Sequence, residues 1–214
     1  MPFSSGASVD AVTIDAFGTL VELENPVGRL QAALAERGVE RGEKAVAAAF
    51  AAEVDYYLVH KGEGRDDATL LDLRNRCAGV FLEGVAPELD AEEFAPAFVG
   101  ALVFRPLDGA VGALRRLQRT GLELACVTNW DVGIGEQLER AGLAPYLSTI
   151  VSSAETGAEK PDPRVFEEAL NRIGVRPERA IHIGDDEADQ AGALAAGIGF
   201  EAPPLATLPA RLGL

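Results

Sequence analysis

The sequence predicts an α/β protein: a Rossmann-like parallel sheet with helices on both faces, carrying a small all-helical insertion near its start. Three observations predict it. An apolar run, AVTID at 11–15, is bounded by a turn signal and reads as one buried strand. The next stretch, from Pro26 to about Val103, shows only helical periodicity. From Pro106 onward short apolar strands alternate with amphipathic helices, which implies right-handed crossovers and a parallel sheet. The expected division is 1–21 and 105–214 for the sheet domain and 22–104 for the helical one. A chain of 214 residues is long enough to bury both cores.

The first strand ends at a turn around Gly18. In the helical stretch, LQAALAERG closes on Gly38, a C-cap glycine. EKAVAAAFAAEVDYYLVHKG is a long alanine-rich helix ending near Gly62. ATLLDLRNRCAGVFLEG is the third helix, and AEEFAPAFVGAL the fourth, opened by Asp90 as N-cap. Beyond Pro106, GAVGALRRLQRTG is an amphipathic helix with a glycine stop, and LELACVT a strand. GIGEQLERAG is a helix, STIVSS a short strand, and DPRVFEEALNRIG a helix with proline in its first turn. AIHIGDD is a strand running into a turn, DQAGALAAG a helix and GIGFEA a last short strand. In such sheets ligands sit outside the carboxyl ends of the strands. Asp15, Thr128-Asn129 and Asp185-Asp186 all stand at those ends.

Composition narrows the function classes. Hydrophobic residues at 48% and charged residues at 25% place the chain among globular proteins. A formal charge of −15 argues against nucleic acid as a partner, which requires a basic face. It also means that any anion site must be built locally, from a cation, a lysine and backbone amides. No apolar run approaches the roughly 20 residues of a membrane span. The opening MPFSSGASVD lacks the basic start and apolar stretch of a leader peptide. Cys77 and Cys126 share no metal-ligand spacing with histidines, and a reducing cytoplasm is the expected location.

Four segments carry chemistry. Asp15-Ala16-Phe17-Gly18-Thr19-Leu20 places a carboxylate at a strand end, before a turn whose amides can cradle an anion. Such an aspartate can act as a nucleophile; the alternative is an aspartate that caps a turn. Cys126-Val127-Thr128-Asn129-Trp130-Asp131 offers a hydroxyl and an amide to phosphate oxygens, or else a helix N-cap. Lys160 in KPDP places a point charge over a bound anion and its aspartate, or is a solvated loop lysine. Gly184-Asp185-Asp186-Glu187-Ala188-Asp189 crowds carboxylates that repel one another unless a cation neutralises them. Magnesium, hard and oxygen-seeking, is the natural cation. The alternative is an acidic turn in which Asp186 or Glu187 caps the next helix.

The four segments come in order, each at a strand end of one sheet. In that order they resemble the haloacid dehalogenase superfamily, in the branch whose helical cap lies between the first two motifs. DAFGTL is similar to motif one, VTNWD to motif two, the lysine of EKPDPRVFEEAL to motif three and IHIGDDEADQAGALAAG to motif four. The resemblance spans essentially the whole chain. It implies a hydrolase in which Asp15 is the nucleophile and a ligand of magnesium (Mg2+), with the backbone carbonyl of Phe17 and with Asp185 as further ligands. Asp189 and Asp186 would sit behind those ligands, orienting them or water. Thr128 and the Asn129 amide would hold the transferring group, and Lys160 would stabilise charge on it and on Asp15. The implied partner is a small phosphorylated metabolite.

One position departs from the family's pattern. Its phosphatases usually carry a second aspartate two residues after the nucleophile, which protonates the leaving oxygen and then activates water. Here that position is Phe17, and losing a positioned acid–base costs about 100- to 10,000-fold. The family's haloacid dehalogenases also place an aromatic residue there, since halide leaves without a proton. Those enzymes do not use magnesium, however, and this acidic cluster would repel a haloacid's own carboxylate. Metal-dependent hydrolysis of a phosphorylated small molecule therefore ranks first, haloacid dehalogenation second and a non-catalytic binding role third. Around the cleft, Phe17, Gly18 and Trp130 are candidate substrate contacts, with Trp130 alternatively a packing residue. Glu53, Tyr56, Tyr57 and His60 lie on one predicted helix, and Tyr56 and His60, four apart, share a face. Tyr56, His60 and the following Arg65 are candidate substrate contacts from the cap; the alternative puts Tyr57 in the core and His60 at a helix end. His182 reads as a packed strand residue.

Overall fold

The computed structural model describes residues 9–214. Residues 1–8, and with them most of the segment read for a leader, lie outside the described residues. The chain begins with β1 (Ala11–Ile14) and β2 (Val21–Leu23), then α1 (Pro26–Ala35), α2 (Glu43–His60), α3 (Asp67–Val85) and α4 (Ala91–Ala101). There follow β3 (Phe104–Pro106), α5 (Ala110–Arg119), β4 (Glu123–Thr128), α6 (Ile134–Arg140), β5 (Thr149–Ser152), α7 (Ser153–Thr156) and α8 (Arg164–Ile173). The last elements are β6 (Ala180–Ile183), α9 (Glu187–Ala195), β7 (Gly199–Glu201) and α10 (Leu208–Arg211). These residues fall into two compact units. One comprises the chain up to Glu22, Arg105–Trp130 and Ile134–Leu214; the other comprises Leu23–Phe104 and Asp131–Gly133.

In the first unit, five strands run in the order β5-β4-β1-β6-β7, every neighbouring pair parallel. β1 is buried along its whole length, as a central strand covered on both faces must be. The chain builds β4 and β5 on one side of β1, then crosses to build β6 and β7 on the other. The crevice at that reversal, outside the carboxyl ends, is the ligand position of such sheets. Ile14 pairs with both Cys126 and Ile183, so the ends of β1, β4 and β6 come nearly level. The apolar face of α8, Val165, Phe166, Ala169 and Leu170, packs into one core with Ala125, Val127 and Val151.

The second unit is helical and has a core of its own, built around Leu30, Leu34, Leu73, Phe81, Phe94 and Phe98. The Phe81 ring lies 6.1 Å from Phe94 and 5.3 Å from Phe98. Asp90 caps α4 as expected, its side chain accepting from the Glu93 amide at 3.0 Å. Asp66 and Thr69 form a capping box at the start of α3. Among the described residues, no helix is long and apolar enough to cross a membrane.

The layout differs from the expected one in three places. β2 and β3 form a separate two-stranded sheet where the chain passes between units; strands of three residues are too short to show alternation. Asp131–Gly133 belongs to the helical unit, although the sheet domain was expected to run unbroken from 105. The Val132 amide donates to the Gly64 carbonyl at 3.0 Å, and the Tyr57 hydroxyl donates to Asp131 Oδ2 at 2.8 Å. A short C-terminal helix, α10, also lies beyond the last expected strand.

One buried acid of the helical unit makes its stability depend on pH. Glu53 on α2 is 4% exposed, and burial pushes its carboxyl up to about 7, eased by a hydrogen bond with the Cys77 thiol. A carboxyl raised on folding holds its proton more tightly in the folded state. Its stabilising contribution is therefore full below the ordinary value of 4.5 and is lost as pH climbs towards about 7. The loss amounts to about 3 kcal/mol at most, since a tenfold change in proton affinity is ~1.4 kcal/mol. Glu53→Gln is expected to gain on wild type as pH rises from about 5 to about 8, read as the difference in urea midpoints by circular dichroism. A difference that stays constant with pH would show that Glu53 is not the responsible group.

Candidate active site

Asp15 is the first residue past β1. Its backbone N–H donates to the Ile183 carbonyl at 2.9 Å, carrying the β1–β6 pairing one residue further, and its side chain is buried. Lys160, also buried, reaches it from the loop before α8. Nζ donates to Asp15 Oδ1 and to Asp189 Oδ1, both at 2.5 Å, and to the Val127 carbonyl at 3.2 Å. Those three bonds use all three ammonium hydrogens. Burial lifts the Asp15 carboxyl to about 6; Lys160 opposes the rise, and the charges of Asp189 and Asp185 add to it. Burial also pulls Lys160 down, but its two carboxylates outweigh that and hold the ammonium above its ordinary value.

Asp189, on the first turn of α9, is fixed from several sides. Its Oδ1 accepts from Lys160 and from His182 Nε2, the latter at 3.0 Å. Burial would raise its carboxyl; the His182 and Lys160 donors outweigh burial and keep it well below the usual carboxylate range. Asp186 is the N-cap of α9. Its Oδ1 accepts the Asp189 amide at 2.7 Å, and Asp189 Oδ2 accepts the Asp186 amide at 3.3 Å. Asp185 is more exposed, its carboxyl raised by partial burial and by the charges of Asp189 and Asp186.

Carboxylate oxygens of Asp15, Asp185 and Asp189 all lie within 4.8 Å of one another. Three hard oxygen donors with one lysine among them suit a small divalent cation. The turn after Asp15 is shaped for this crowding. Gly18 sits at φ +84°, and a Cβ there would come 2.3 Å from Asp185 Oδ2. Both conformation and space therefore require glycine.

The remaining sheet-unit candidates have defined places. Thr128 ends β4, buried, in register with Ser152. Asn129 clamps the Lys160 backbone: its Oδ1 accepts the Lys160 amide at 2.7 Å and its Nδ2 donates to the Lys160 carbonyl at 3.0 Å. Its side-chain amide is thus committed to positioning Lys160. Phe17 is 48% exposed, and its ring lies 6.4 Å from that of Trp130. The Trp130 carbonyl accepts from the Ala154 amide at 3.1 Å and from Ser153 Oγ at 3.3 Å.

Tyr56, His60 and Arg65 belong to the helical unit. The Tyr56 and His60 rings do share a face, 4.2 Å apart. Arg76 donates to the Tyr56 hydroxyl at 2.5 Å and pairs with Glu63 at 2.6 Å and Asp72 at 2.9 Å. His60 Nδ1 lies 2.8 Å from the same Glu63. Both candidates are thus built into a local charged network. Arg65 is exposed in the turn before α3. Tyr57, expected as core in one reading, packs against the helical core and places its hydroxyl on Asp131.

Asp15, Lys160, Asp185 and Asp189 are therefore brought together. Sequence reasoning missed the task of Asn129 and the contact of His182 with Asp189. The available signal for His182 was a polar residue inside a buried strand, two positions before Gly184-Asp185.

Comparison with known proteins bears on what such a site belongs to. Residues 9–197 match the family described as haloacid dehalogenase-like hydrolase. The human haloacid dehalogenase-like hydrolase domain-containing protein 3 is 31% identical over 191 residues, covering 82% of this chain and 73% of that protein. Phosphoserine phosphatase of Thermus thermophilus is 42% identical over 118 residues, 54% of this chain and 47% of that protein. Against several of its curated relatives the match spans less than half of the relative's length. YfnB of Bacillus subtilis, assigned as a HAD-hydrolase and solved bound to magnesium, shares the fold. Its TM-score is 0.74 over 97% of this chain and 100% of that one, at 20% identity. The family match runs from before β1 to beyond α9 and takes in every strand-end segment described above, and the chain belongs to the haloacid dehalogenase-like hydrolases.

Proposed function

We propose that this protein hydrolyses a small phosphorylated metabolite, with magnesium, through an aspartyl phosphate on Asp15. The observation that carries the reading is a buried carboxylate held by a buried lysine, with Asp185 and Asp189 within 4.8 Å. The relative from Thermus thermophilus, a phosphatase by name, supports a phosphate monoester as the substrate class. The oxygen donor set fits magnesium, which Asp15, Asp185 and the Phe17 carbonyl would hold, with Asp189 and Asp186 behind them. When bound, the ion would offset negative charge on the phosphoryl oxygens and among the carboxylates. The two buried free thiols, Cys77 and Cys126, suit a reducing cytoplasm.

Asp15 Oδ1 is engaged by Lys160, which leaves Oδ2 to attack phosphorus. The bond from phosphorus to the leaving oxygen breaks as the Asp15–phosphorus bond forms, and the leaving oxygen departs with the electron pair. Water then attacks phosphorus, releasing inorganic phosphate and restoring the carboxylate. Thr128, at the end of β4, would hold a phosphoryl oxygen, and Lys160 would offset charge on the nucleophile and the transferring group. Phe17 supplies no proton, so aryl and acyl phosphates, whose leaving groups need none, suit the site better than alkyl phosphates. The exposed Phe17 beside Trp130 is the feature that favours haloacid dehalogenation as a second reading. The acidic trio opposes it, by repelling a haloacid's carboxylate.

Three measurements test the reading. Asp15→Asn is expected to abolish magnesium-dependent hydrolysis of p-nitrophenyl phosphate with an unchanged circular dichroism spectrum; retention of about a tenth of the activity would remove Asp15 from its role. Asp185→Ala is expected to weaken magnesium binding by about tenfold or more in calorimetry, and equal affinities would place the metal elsewhere. Phe17→Asp is expected to raise the ratio of alkyl to aryl phosphate turnover, by less than the full 100- to 10,000-fold or so of a tuned acid–base. An unchanged or lowered ratio in a folded, magnesium-bound variant would favour the dehalogenase reading.

A further inference from the structure

Four buried side chains lead away from Asp15 and return to the strand it follows. Lys160 Nζ bonds Asp15 Oδ1 and Asp189 Oδ1, each at 2.5 Å. Asp189 Oδ1 also meets His182 Nε2 at 3.0 Å, and His182 Nδ1 meets Thr13 Oγ1 at 2.9 Å. Thr13 and His182 are register partners of β1 and β6, and Thr13 stands two residues before Asp15. Side chains two apart on a strand share a face. The relay therefore closes on itself through Thr13, Ile14 and Asp15, the end of β1 and the residue that follows it.

The chemistry of the acceptors sets the direction of each bond. Asp189, held ionised, only accepts, so His182 Nε2 carries a hydrogen. His182 is wholly buried, which holds its imidazole below its ordinary value and favours the neutral ring. Nδ1 is then an acceptor and the Thr13 hydroxyl donates to it. The Phe166 ring packs edge-on against His182, 4.9 Å between centroids.

We propose that His182 is a positioning residue for Lys160: by donating to Asp189 it holds that carboxylate in place and limits its claim on the ammonium shared with Asp15. Two carboxylates equidistant from one ammonium compete for it. A second donor on Asp189 Oδ1 satisfies part of that carboxylate's charge, so Lys160 stays available to Asp15 and to the group transferred onto it. Without the donor, Asp189 would draw the ammonium towards itself. The nucleophile would lose its partner while the substrate-binding residues stayed in place. The fault would therefore appear in kcat rather than KM.

The test has two arms, and only the kinetic one rests on the proposed function. His182→Leu is expected to lower kcat for p-nitrophenyl phosphate by about 10- to 100-fold with little change in KM. His182→Gln, whose amide can still donate to Asp189, is expected to recover most of that loss. Thr13→Val, which keeps shape and removes the donor to Nδ1, is expected to lose several-fold and carries this arm if His182→Leu does not fold. Equal kcat in the folded variants, or no difference between Leu and Gln, would overturn the proposal. The spectroscopic arm needs no substrate. The chain has two histidines, so long-range nitrogen–proton spectra assign His182 by its loss in His182→Gln. An Nε2-protonated ring near neutral pH is expected, together with a Lys160 ammonium signal that shifts in His182→Leu and returns in His182→Gln. A ring protonated on Nδ1, or an ammonium signal indifferent to both variants, would overturn the proposal even if the wild type turns over no phosphate ester.

Discussion

The ammonium of Lys160 is the interaction on which the site depends. A buried cation or carboxylate alone costs several kcal/mol, and such groups persist only where their bonds are complete. Lys160 completes its own with two carboxylates and a carbonyl. Each partner is in turn fixed by regular structure: Asp15 by the β1–β6 pairing, Val127 by β4 and Asp189 by the capping box of α9. Asn129 supplies the remaining constraint by clamping the Lys160 backbone. One base between two acids, with Asp185 a third acid nearby, leaves the cluster net negative. That arrangement is stable enough to fold and still suited to a cation.

The two units hold different sets of polar residues. The sheet unit collects the acids and the lysine because its strand order reverses at β1, which brings three strand ends nearly level. The helical unit has its own aromatic core and its own polar pairs, buried Glu53 with Cys77 and half-buried Tyr57 with Asp131. The segment VTNWD is shared between them: Thr128 to Trp130 belong to the sheet unit and Asp131 to the helical one.

Phe17 shows why family membership and activity are separate conclusions. A change of side chain there leaves the backbone carbonyl untouched, so under the proposed function this position would keep a role towards a metal and lose one towards a proton. Function resides in such local groups rather than in the fold. The match over residues 9–197 therefore establishes the family, while on the proposed reading the leaving group is a separate question, which the Phe17 variant tests.

The alternation of strands and helices, the all-helical insertion and the strand-end places of Asp15, Thr128 and Asp185 were legible in the sequence, because each is written in local periodicity and turn residues. The ordered segments also marked Lys160, whose loop position alone is unremarkable. What the sequence left open were pairings between distant residues. Asn129 holds Lys160 across 31 positions, and Thr13 meets His182 across 169. Asp131 leaves its own strand's unit because Tyr57, 74 positions earlier, takes its carboxylate. The β2–β3 pair escaped because strands of three residues are too short to show alternation. Local propensity determines which residues form a strand or cap a helix. Which of them face one another is decided only when the sheet register and helix packing bring separate segments within hydrogen-bonding distance.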